Sequence, residues 1–416
     1  MKTVLITAYA VNPYKGSEDG MGWNYIFQAA RMHNVIAVTR HNNRQAIEAY
    51  MNETRNGRET EYDRIRFLYF DWPGWTLFWK KGPLLSMIYY YGWQLSLALW
   101  LLGKPMGIDL VHNLNFHNDW TPSFLWLLQK PFAWGPVGHH PRIPKGFARN
   151  YGSRAWLMDR CLWGLKKTFW RLDPFLYLAR KNADMTWCMH PDALRRLQVE
   201  NNYLLHPSVA AEDEPVCQVA KERFVVLSVG RFVPIKGFDM AISAFAHFYK
   251  QLPEFMQSQT ELVLVGKGPY KAMLEAMAKR EGIAHAMTIK DWMSEAELKL
   301  TYNEASVLLY PSYEGAGMVV AEAMRYRLPV LCWNNEGPGR IVHPESMLKI
   351  NYSAYQRNAR QFGGLLRKLF FQEAFYEKEA ALARLRFDQQ LSWDCKAMQL
   401  RRFYDETITH FNTRRQ

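Results

Sequence analysis

Two successive series of short apolar runs alternate with amphipathic stretches, and this alternation restricts the possible folds more than any other feature of the chain. The first series predicts strands at 3–8, 34–39, 65–70, 108–112, 132–134 and 184–189. The second predicts strands at 224–229, 262–265, 287–289, 307–310 and 330–332. Because helical patterns separate the strands, each series is typical of a parallel sheet covered by helices. The sequence therefore predicts an α/β fold with two Rossmann-like domains facing across a cleft.

A proline-bearing, acidic stretch at 206–215 separates the two series. We therefore expect an N-terminal domain at 1-205, a C-terminal domain at 206-385 and a final helix at 386-416 that packs back on the N-terminal domain. A chain of 416 residues is also too long for a single domain with one hydrophobic core, which favours two domains.

The net charge and composition of the chain limit the kinds of molecule that it is expected to bind. The formal net charge of +13 favours nucleic acid, a phosphate-bearing substrate or an acidic membrane surface. The sequence shows no nucleic-acid-binding signature, and its cations do not follow one element, so we expect no nucleic acid as partner. The N-terminal run predicts a first strand rather than a signal peptide, and the uncharged stretch 84–102 predicts a buried or membrane-grazing helix rather than a span. We expect a cytoplasmic protein.

The stretch 310–324 carries the most informative motif. A predicted strand ends at Tyr310, a turn with two glycines follows, and a helix begins near Met318, so backbone N–H groups point outward at an anion-binding position. Glu314 and Glu322 flank this turn, and a carboxylate accepts hydrogen bonds from neighbouring sugar hydroxyls. The alternative is that both glutamates are solvated surface charges.

A second loop brings two cations to the same sheet edge. Arg231 and Lys236 follow the strand at 224–229, and the loops after parallel strands of one sheet meet at one edge. The planar fork of an arginine and the point charge of a lysine together suit a diphosphate. The alternative is that both cations face solvent.

These loops, with the turn at 266–269 and the spacing from Glu314 to Glu322, resemble the retaining family 4 glycosyltransferases of the GT-B fold. The resemblance covers most of 224–343 and the N-terminal half in outline. The resemblance implies a hexosyltransferase that transfers mannose or a similar sugar from a GDP- or UDP-sugar. It also implies that Arg231, Lys236 and Glu314 are the catalytic residues. The residues that it implies for donor binding are Gly16, Gly230, Arg231, Lys236, Trp292, Glu314, Gly315, Ala316, Gly317, Met318, Val319 and Glu322.

The acceptor side is predicted in less detail. The resemblance points to His139 and His140, with His112 as a further candidate, whereas each is also compatible with a packed or surface histidine. Aromatic and basic residues interleave at 70–81 and 154–181, which is typical of a surface on an anionic leaflet, although core aromatics with solvated cations give the same pattern. We therefore expect a saccharide acceptor linked to a lipid, in exopolysaccharide, O-antigen or capsule assembly, and an enzyme peripheral on the inner face of the cytoplasmic membrane.

Three alternatives and one expected absence complete the prediction. A sugar-nucleotide epimerase or a phosphorylase shares the two-domain fold, and a basic nucleic-acid-binding protein would share the charge. The sequence contains no Asp-x-Asp pair and no convincing metal-ligand spacing, so it predicts metal-independent chemistry without a cofactor.

Overall fold

The computed structural model of the chain describes residues 1–80, 82–114, 118–148, 151–215 and 222–415. These residues form two compact units. Unit 1 comprises 1–139, 164–208 and 393–416, and unit 2 comprises 140–163 and 209–392. The predicted domain 1-205 and unit 1 thus differ at 140–163, and the residues 386–392 of the predicted final helix lie in unit 2.

Unit 1 is built on a seven-stranded parallel sheet with the strand order β3-β2-β1-β4-β5-β6-β7. Its strands are β1 (Thr3–Ala8), β2 (Asn34–Thr39), β3 (Ile65–Tyr69), β4 (Leu110–Leu114), β5 (Phe132–Val137), β6 (Met185–Cys188) and β7 (Tyr203–Leu205). β7 is an edge strand of three residues without a buried position, which leaves no apolar signal in the sequence.

Unit 2 has a six-stranded parallel sheet with the order β10-β9-β8-β11-β12-β13. Its strands are β8 (Phe224–Val229), β9 (Thr260–Val265), β10 (Met287–Lys290), β11 (Val307–Tyr310), β12 (Val330–Trp333) and β13 (Lys349–Ile350). The pairing of Val307 with Val226 sets β8 beside β11, so the loops that leave these two strands are neighbours.

Helices cover both sheets. In chain order they are α1 (Ser17–Ala30), α2 (Arg44–Glu53), α3 (Glu59–Asp63), α4 (Gly82–Leu102), α5 (Gly152–Leu172), α6 (Pro174–Asn182), α7 (Pro191–Leu197), α8 (Phe238–Tyr249), α9 (Glu254–Gln257), α10 (Lys271–Arg280), α11 (Glu295–Glu304), α12 (Met318–Arg325), α13 (Pro338–Ile341), α14 (Tyr355–Phe371), α15 (Glu373–Arg386) and α16 (Trp393–Arg415).

The first helix begins earlier than its apolar pattern predicts. The sequence indicates a loop at 15–22 followed by a helix from Trp23, whereas α1 begins at Ser17. Glu18 and Asp19 in the first turn favour the helix N-terminus electrostatically. Gly22 is required for packing, because a Cβ there would lie 2.1 Å from the carbonyl oxygen of Ala10.

Helix α4 shows how the uncharged stretch at 84–102 is used. One face places Tyr89, Trp93 and Leu97 in the core of unit 1, at the spacing of successive helical turns. Ile88 and Leu99 lie exposed on the other side. No helix among the described residues is both long enough and apolar enough to cross a bilayer.

The last helix, α16, packs within unit 1. Leu400, Phe403 and Tyr404 are buried, and the Tyr404 hydroxyl lies 2.9 Å from Nδ1 of His112 on β4. Asp394 and Asp405 form ion pairs with cations of the N-terminal segment, at 2.6 and 2.8 Å. The end of the chain therefore stabilises the sheet that the beginning of the chain forms.

Candidate active site

Two loops interlock at the carboxyl edge of the unit 2 sheet. We call residues 230–237, after β8, the cation loop, and residues 311–317, after β11, the glycine loop. The backbone N–H of Tyr313 donates to the carbonyl of Ile235 at 2.8 Å. Gly237 has φ of +69°, and a Cβ on it would lie only 2.1 Å from the carbonyl oxygen of Pro311. Any side chain at position 237 would therefore separate the two loops.

Lys236, Glu314 and Tyr310 form one buried cluster between these loops. The Lys236 Nζ lies 2.7 Å from Oε2 of Glu314, and both side chains are largely buried, with 13% and 15% exposed. The Tyr310 hydroxyl donates to the same carboxylate oxygen at 2.6 Å, and Lys236 donates to that hydroxyl at 3.1 Å. The two loops thus meet as the sequence predicts, and the side chain of Lys236 makes the contact.

Electrostatics keep this pair ionised. Burial raises the pKa of the Glu314 carboxyl, but the neighbouring Lys236 and His140 outweigh it, and the pKa lies below its ordinary value. Burial lowers the pKa of Lys236, but Tyr310 and Glu314 outweigh it, and the pKa lies above its ordinary value. The cluster therefore holds one positive and one negative charge at neutral pH.

The cluster has bonding capacity to spare for a ligand. A lysine ammonium carries three N–H donors, and the contacts among the described residues use two of those of Lys236. Both hydrogen bonds to Glu314 end on Oε2, which leaves Oε1 to accept from a hydroxyl. A phosphate oxygen and a sugar hydroxyl are the groups that match this capacity.

The glycine loop leads into α12, whose first turn presents open backbone amides. No side chain of the described residues caps the helix at Gly317, which precedes Met318 and Val319 of the first turn. The Gly315 N–H donates to Nδ1 of His140 at 3.0 Å. A Cβ on Gly317 would lie 3.1 Å from the ring of Tyr310, so the loop passes directly over the cluster. Open amides at a helix N-terminus favour an anion.

Glu322 lies in the second turn of α12. Its Oε2 accepts from the Tyr302 hydroxyl at 2.8 Å. Burial raises the pKa of this carboxyl, against the opposing effects of Tyr302 and Arg325. A carboxylate held by one hydroxyl has acceptor capacity left for a diol.

The structure does not bring every predicted donor-site residue into the cluster. Arg231 is exposed on the cation loop and forms no ion pair within the described chain. Gly230, with φ of +148°, lies beneath Lys236, and a Cβ on it would be 3.1 Å from that side chain. Trp292 follows β10 and is 65% exposed. Ala316 is half-buried in the glycine loop, and Gly16 lies exposed before α1 of unit 1.

The two adjacent histidines belong to different units. His139 is buried in unit 1, where its Nδ1 lies 2.6 Å from Oδ2 of Asp119 and its backbone N–H donates to Nε2 of His190 at 3.3 Å. His140 is in unit 2 and contacts the glycine loop, although the sequence placed both histidines on the acceptor side. His112, the third candidate, is fully buried between Tyr404 and the carbonyl of Gly135.

Tyr310, Asp119 and His190 are candidate site residues that the sequence prediction missed. The sequence predicts Tyr310 only as the end of a strand, and its position at the carboxyl end of β11 is the signal that indicates a site residue. The other two approach His139 only through the fold. Among the described residues, no group of three or more His, Cys, Asp or Glu side chains is arranged so that it could hold a metal ion.

Part of the chain is similar in sequence to known proteins. Residues 210–384 match the family model "Glycosyl transferases group 1". A GDP-mannose-dependent alpha-(1-6)-phosphatidylinositol monomannoside mannosyltransferase of Mycolicibacterium smegmatis is 31% identical over 129 residues, which cover 29% of this chain and 32% of that protein. The lipopolysaccharide core biosynthesis glycosyltransferase LpsD of Rhizobium meliloti is 31% identical over 140 residues, 34% of this chain and 37% of that protein. The chain thus spans about a third of the length of these curated relatives.

Similarity to solved structures extends over nearly the whole chain. The crystal structure of Anabaena Alr3699/HepE in complex with UDP and glucose superposes with a TM-score of 0.60 at 13% identity, covering 97% of this chain and 99% of that one. The likeness shows the fold, which is the GT-B arrangement of two Rossmann-like domains, and confirms the predicted fold class.

Proposed function

We propose that this protein is a retaining hexosyltransferase that moves mannose or a similar sugar from a GDP- or UDP-sugar to a lipid-linked saccharide in surface-polysaccharide assembly. The observation that carries the proposal is the cluster of Lys236, Glu314 and Tyr310 beneath the glycine loop, inside the segment that matches the glycosyltransferase family model.

The donor is assigned to unit 2 by charge and bonding capacity. In our proposal, Lys236 and the backbone amides at the N-terminus of α12 hold the diphosphate, and the exposed Arg231 reaches it from the cation loop. Glu314 accepts from a hydroxyl of the transferred sugar, and Glu322 from the ribose. Trp292 borders the base.

The chemistry follows from where charge develops. As the bond between the anomeric carbon and the diphosphate oxygen breaks, negative charge grows on the leaving diphosphate, and Lys236 and the helix N-terminus stabilise it. The acceptor hydroxyl attacks the anomeric carbon on the face that the diphosphate leaves, and its proton passes to a phosphate oxygen. The new glycosidic bond then retains the configuration of the donor. Protein cations and amides supply the charge stabilisation in this scheme, so we propose that no metal or cofactor is needed.

The acceptor is assigned to unit 1, together with a membrane surface. Trp75 and Phe78 are 81% and 76% exposed on the loop before α4, where a leaflet accommodates aromatic rings beside cations. One relative is named as a phosphatidylinositol monomannoside mannosyltransferase and another as a glycosyltransferase of lipopolysaccharide core biosynthesis, which supports a lipid-linked acceptor for this chain. We place the protein on the inner face of the cytoplasmic membrane.

The experiment is a thermal-shift screen of GDP- and UDP-hexoses, followed by product analysis with the donor that binds. A ligand of the folded state raises the melting temperature by an amount that grows with its affinity. We expect one nucleotide sugar to stabilise the protein and to yield an acceptor-dependent product of retained anomeric configuration, with the metal chelator EDTA present. Consumption without an acceptor would indicate the epimerase, and dependence on free phosphate the phosphorylase.

A further inference from the structure

The carboxyl edge of the unit 1 sheet holds a second group of cations. Arg40 follows β2, and Tyr9 and Asp71 follow the neighbouring strands β1 and β3 closely. The Arg40 guanidinium lies over the Tyr9 ring, 3.8 Å from its centroid, and its Nε donates to the Tyr9 carbonyl at 3.1 Å. The Lys80 Nζ lies 5.6 Å from the same centroid and 3.8 Å from that of Tyr89. Two cations therefore share one aromatic ring.

Neither cation is neutralised by an ion pair within the described residues. Asp71 interacts electrostatically with both cations but forms an ion pair with neither, and its Oδ1 accepts from the Tyr89 hydroxyl and from the backbone of Trp72. Burial and the neighbouring Arg40 lower the pKa of the Lys80 ammonium, and Asp71 offsets this only in part, as expected for two positive charges held close together. Holding like charges together in a half-buried place costs free energy that an anionic ligand would offset.

The surroundings suit an anion at the head of an apolar molecule. Tyr9 is fixed by edge-to-face contacts with Tyr90 and Trp93, at 5.0 and 5.2 Å, so the ring beneath the cations is rigid. The same loop that carries Lys80 exposes Trp75 and Phe78. In open α/β sheets, ligands bind at the carboxyl ends of the strands, which is where these cations lie.

We propose that Arg40 and Lys80 bind a phosphate group of the lipid-linked acceptor at the carboxyl edge of the unit 1 sheet. An arginine fork beside a lysine matches the oxygens of a phosphate ester, and the aromatic loop matches the first part of a lipid chain. That the bound phosphate belongs to the acceptor rests on the proposed function, whereas the phosphate site itself is inferred from contacts within unit 1 alone.

The test is titration calorimetry with decyl phosphate below its micelle concentration, using the full chain. We expect the wild-type protein to bind this probe, and Arg40→Gln and Lys80→Gln each to weaken binding about tenfold, the scale of one lost charged hydrogen bond. Lys104→Gln is the matched control, because it removes a cation that lies 4.3 Å from the Trp100 ring at the end of α4. It should leave the affinity unchanged.

Three comparisons of binding affinity test the charge, the lipid tail and the two residues of the proposed site separately. Decyl glucoside has the same tail without the charge, and equal affinity for both probes would overturn the phosphate assignment. Inorganic phosphate should bind more weakly than decyl phosphate with the same dependence on Arg40 and Lys80, and equal affinity would overturn the lipid part. Wild-type affinity for decyl phosphate in both variants would overturn the site. The Lys80 side chain donates no hydrogen bond within the described residues, so Lys80→Gln keeps the test valid if Arg40→Gln unfolds.

The donor site is monitored in the same samples. UDP and GDP binding should be unchanged by Arg40→Gln and Lys80→Gln, since both lie in unit 1. If neither nucleotide binds the wild-type protein, the proposed function fails, while the decyl phosphate result still decides the phosphate site.

Discussion

At the scale of single residues, substitution of Glu322 should affect donor binding and not catalytic turnover. Its carboxylate is half-buried on α12 and accepts from the Tyr302 hydroxyl, whereas Lys236 pairs with Glu314. A ribose contact is present in the ground state and in the transition state alike, so its loss changes affinity more than turnover. We expect Glu322→Ala to raise the KM for the donor about tenfold or more and to leave kcat within a few fold.

The control for this prediction is Glu295→Ala. Glu295 is an exposed carboxylate at the start of α11, in the same unit, and it pairs with Lys299 at 2.9 Å. Steady-state kinetics with the donor found by the thermal-shift screen provide the measurement. A drop in kcat with an unchanged KM for Glu322→Ala would contradict the ribose assignment.

Sequence reasoning at this scale identified the two loops but not how their side chains pair. Parallel-strand topology alone predicts that the loops after β8 and β11 are neighbours, and Lys236 and Glu314 do meet. The pairing of the two with each other, through Tyr310, depends on side-chain directions set by the turns of both loops. For the same reason the sequence did not indicate that Arg231 would lie exposed while Lys236 is buried.

At the scale of elements, the contact between the cation loop and the glycine loop depends on Gly237. We expect Gly237→Ala to destabilise the protein by more than the roughly 1 kcal/mol that a left-handed residue costs, because its Cβ would also collide with the Pro311 carbonyl. The displaced loop should weaken donor binding as well. Urea unfolding and nucleotide titration measure the two effects.

Gly282→Ala is the matched control for the loop contact. Gly282 has φ of +73°, close to the +69° of Gly237, but no atom lies within 4 Å of the added Cβ. It should show the conformational cost alone, with unchanged nucleotide affinity. Equal destabilisation in the two variants would show that the loop contact does not matter.

The packing of α16 on β4 makes unit 1 sensitive to acid. Burial lowers the pKa of His112 to about 4, from 6.5 in the unfolded chain. Between these values the unfolded state binds more protons, so the free energy of unfolding should fall as the pH decreases from 6.5 towards 4, by at most about 1.4 kcal/mol per pH unit from this residue. His190 has the same shift and adds to the slope.

Urea unfolding at several pH values measures this slope. His112→Gln removes one titrating group, so its stability should depend less on pH than that of the wild type. A wild-type slope in His112→Gln would contradict the assignment.

Strands were easier to predict than helix starts. The strands β8 and β11 begin and end where the apolar runs do, because both sheet faces are covered and nearly every position is apolar. The start of α1 was missed because its first turn is polar and glycine-rich, and the glycine is needed for a packing contact that only the fold reveals. The two-residue strand β13 carries too little sequence to leave a pattern.

At the scale of the whole molecule, the net charge of +13 and the aromatic loop of unit 1 predict binding to anionic membranes. We expect the protein to sediment with vesicles that contain phosphatidylglycerol at low salt, and Trp75→Ser/Phe78→Ser to reduce the bound fraction severalfold through the loss of two exposed rings. Phe255→Ser removes a ring of unit 2 that is 66% exposed and should have no effect. Equal sedimentation of the aromatic-loop variant and the wild type would contradict this surface.

The central claim is that Lys236 binds the diphosphate of the donor, and titration calorimetry of UDP and GDP tests it most directly. We predict that one of the two nucleotides binds the wild-type protein and that Lys236→Ala weakens this binding roughly 10- to 100-fold, the scale of charged hydrogen bonds in a buried place. Lys250→Ala, which removes an exposed lysine of unit 2 that pairs with Glu281, should bind as the wild type does. Wild-type affinity in Lys236→Ala, or no binding of either nucleotide to the wild-type protein, would contradict the account.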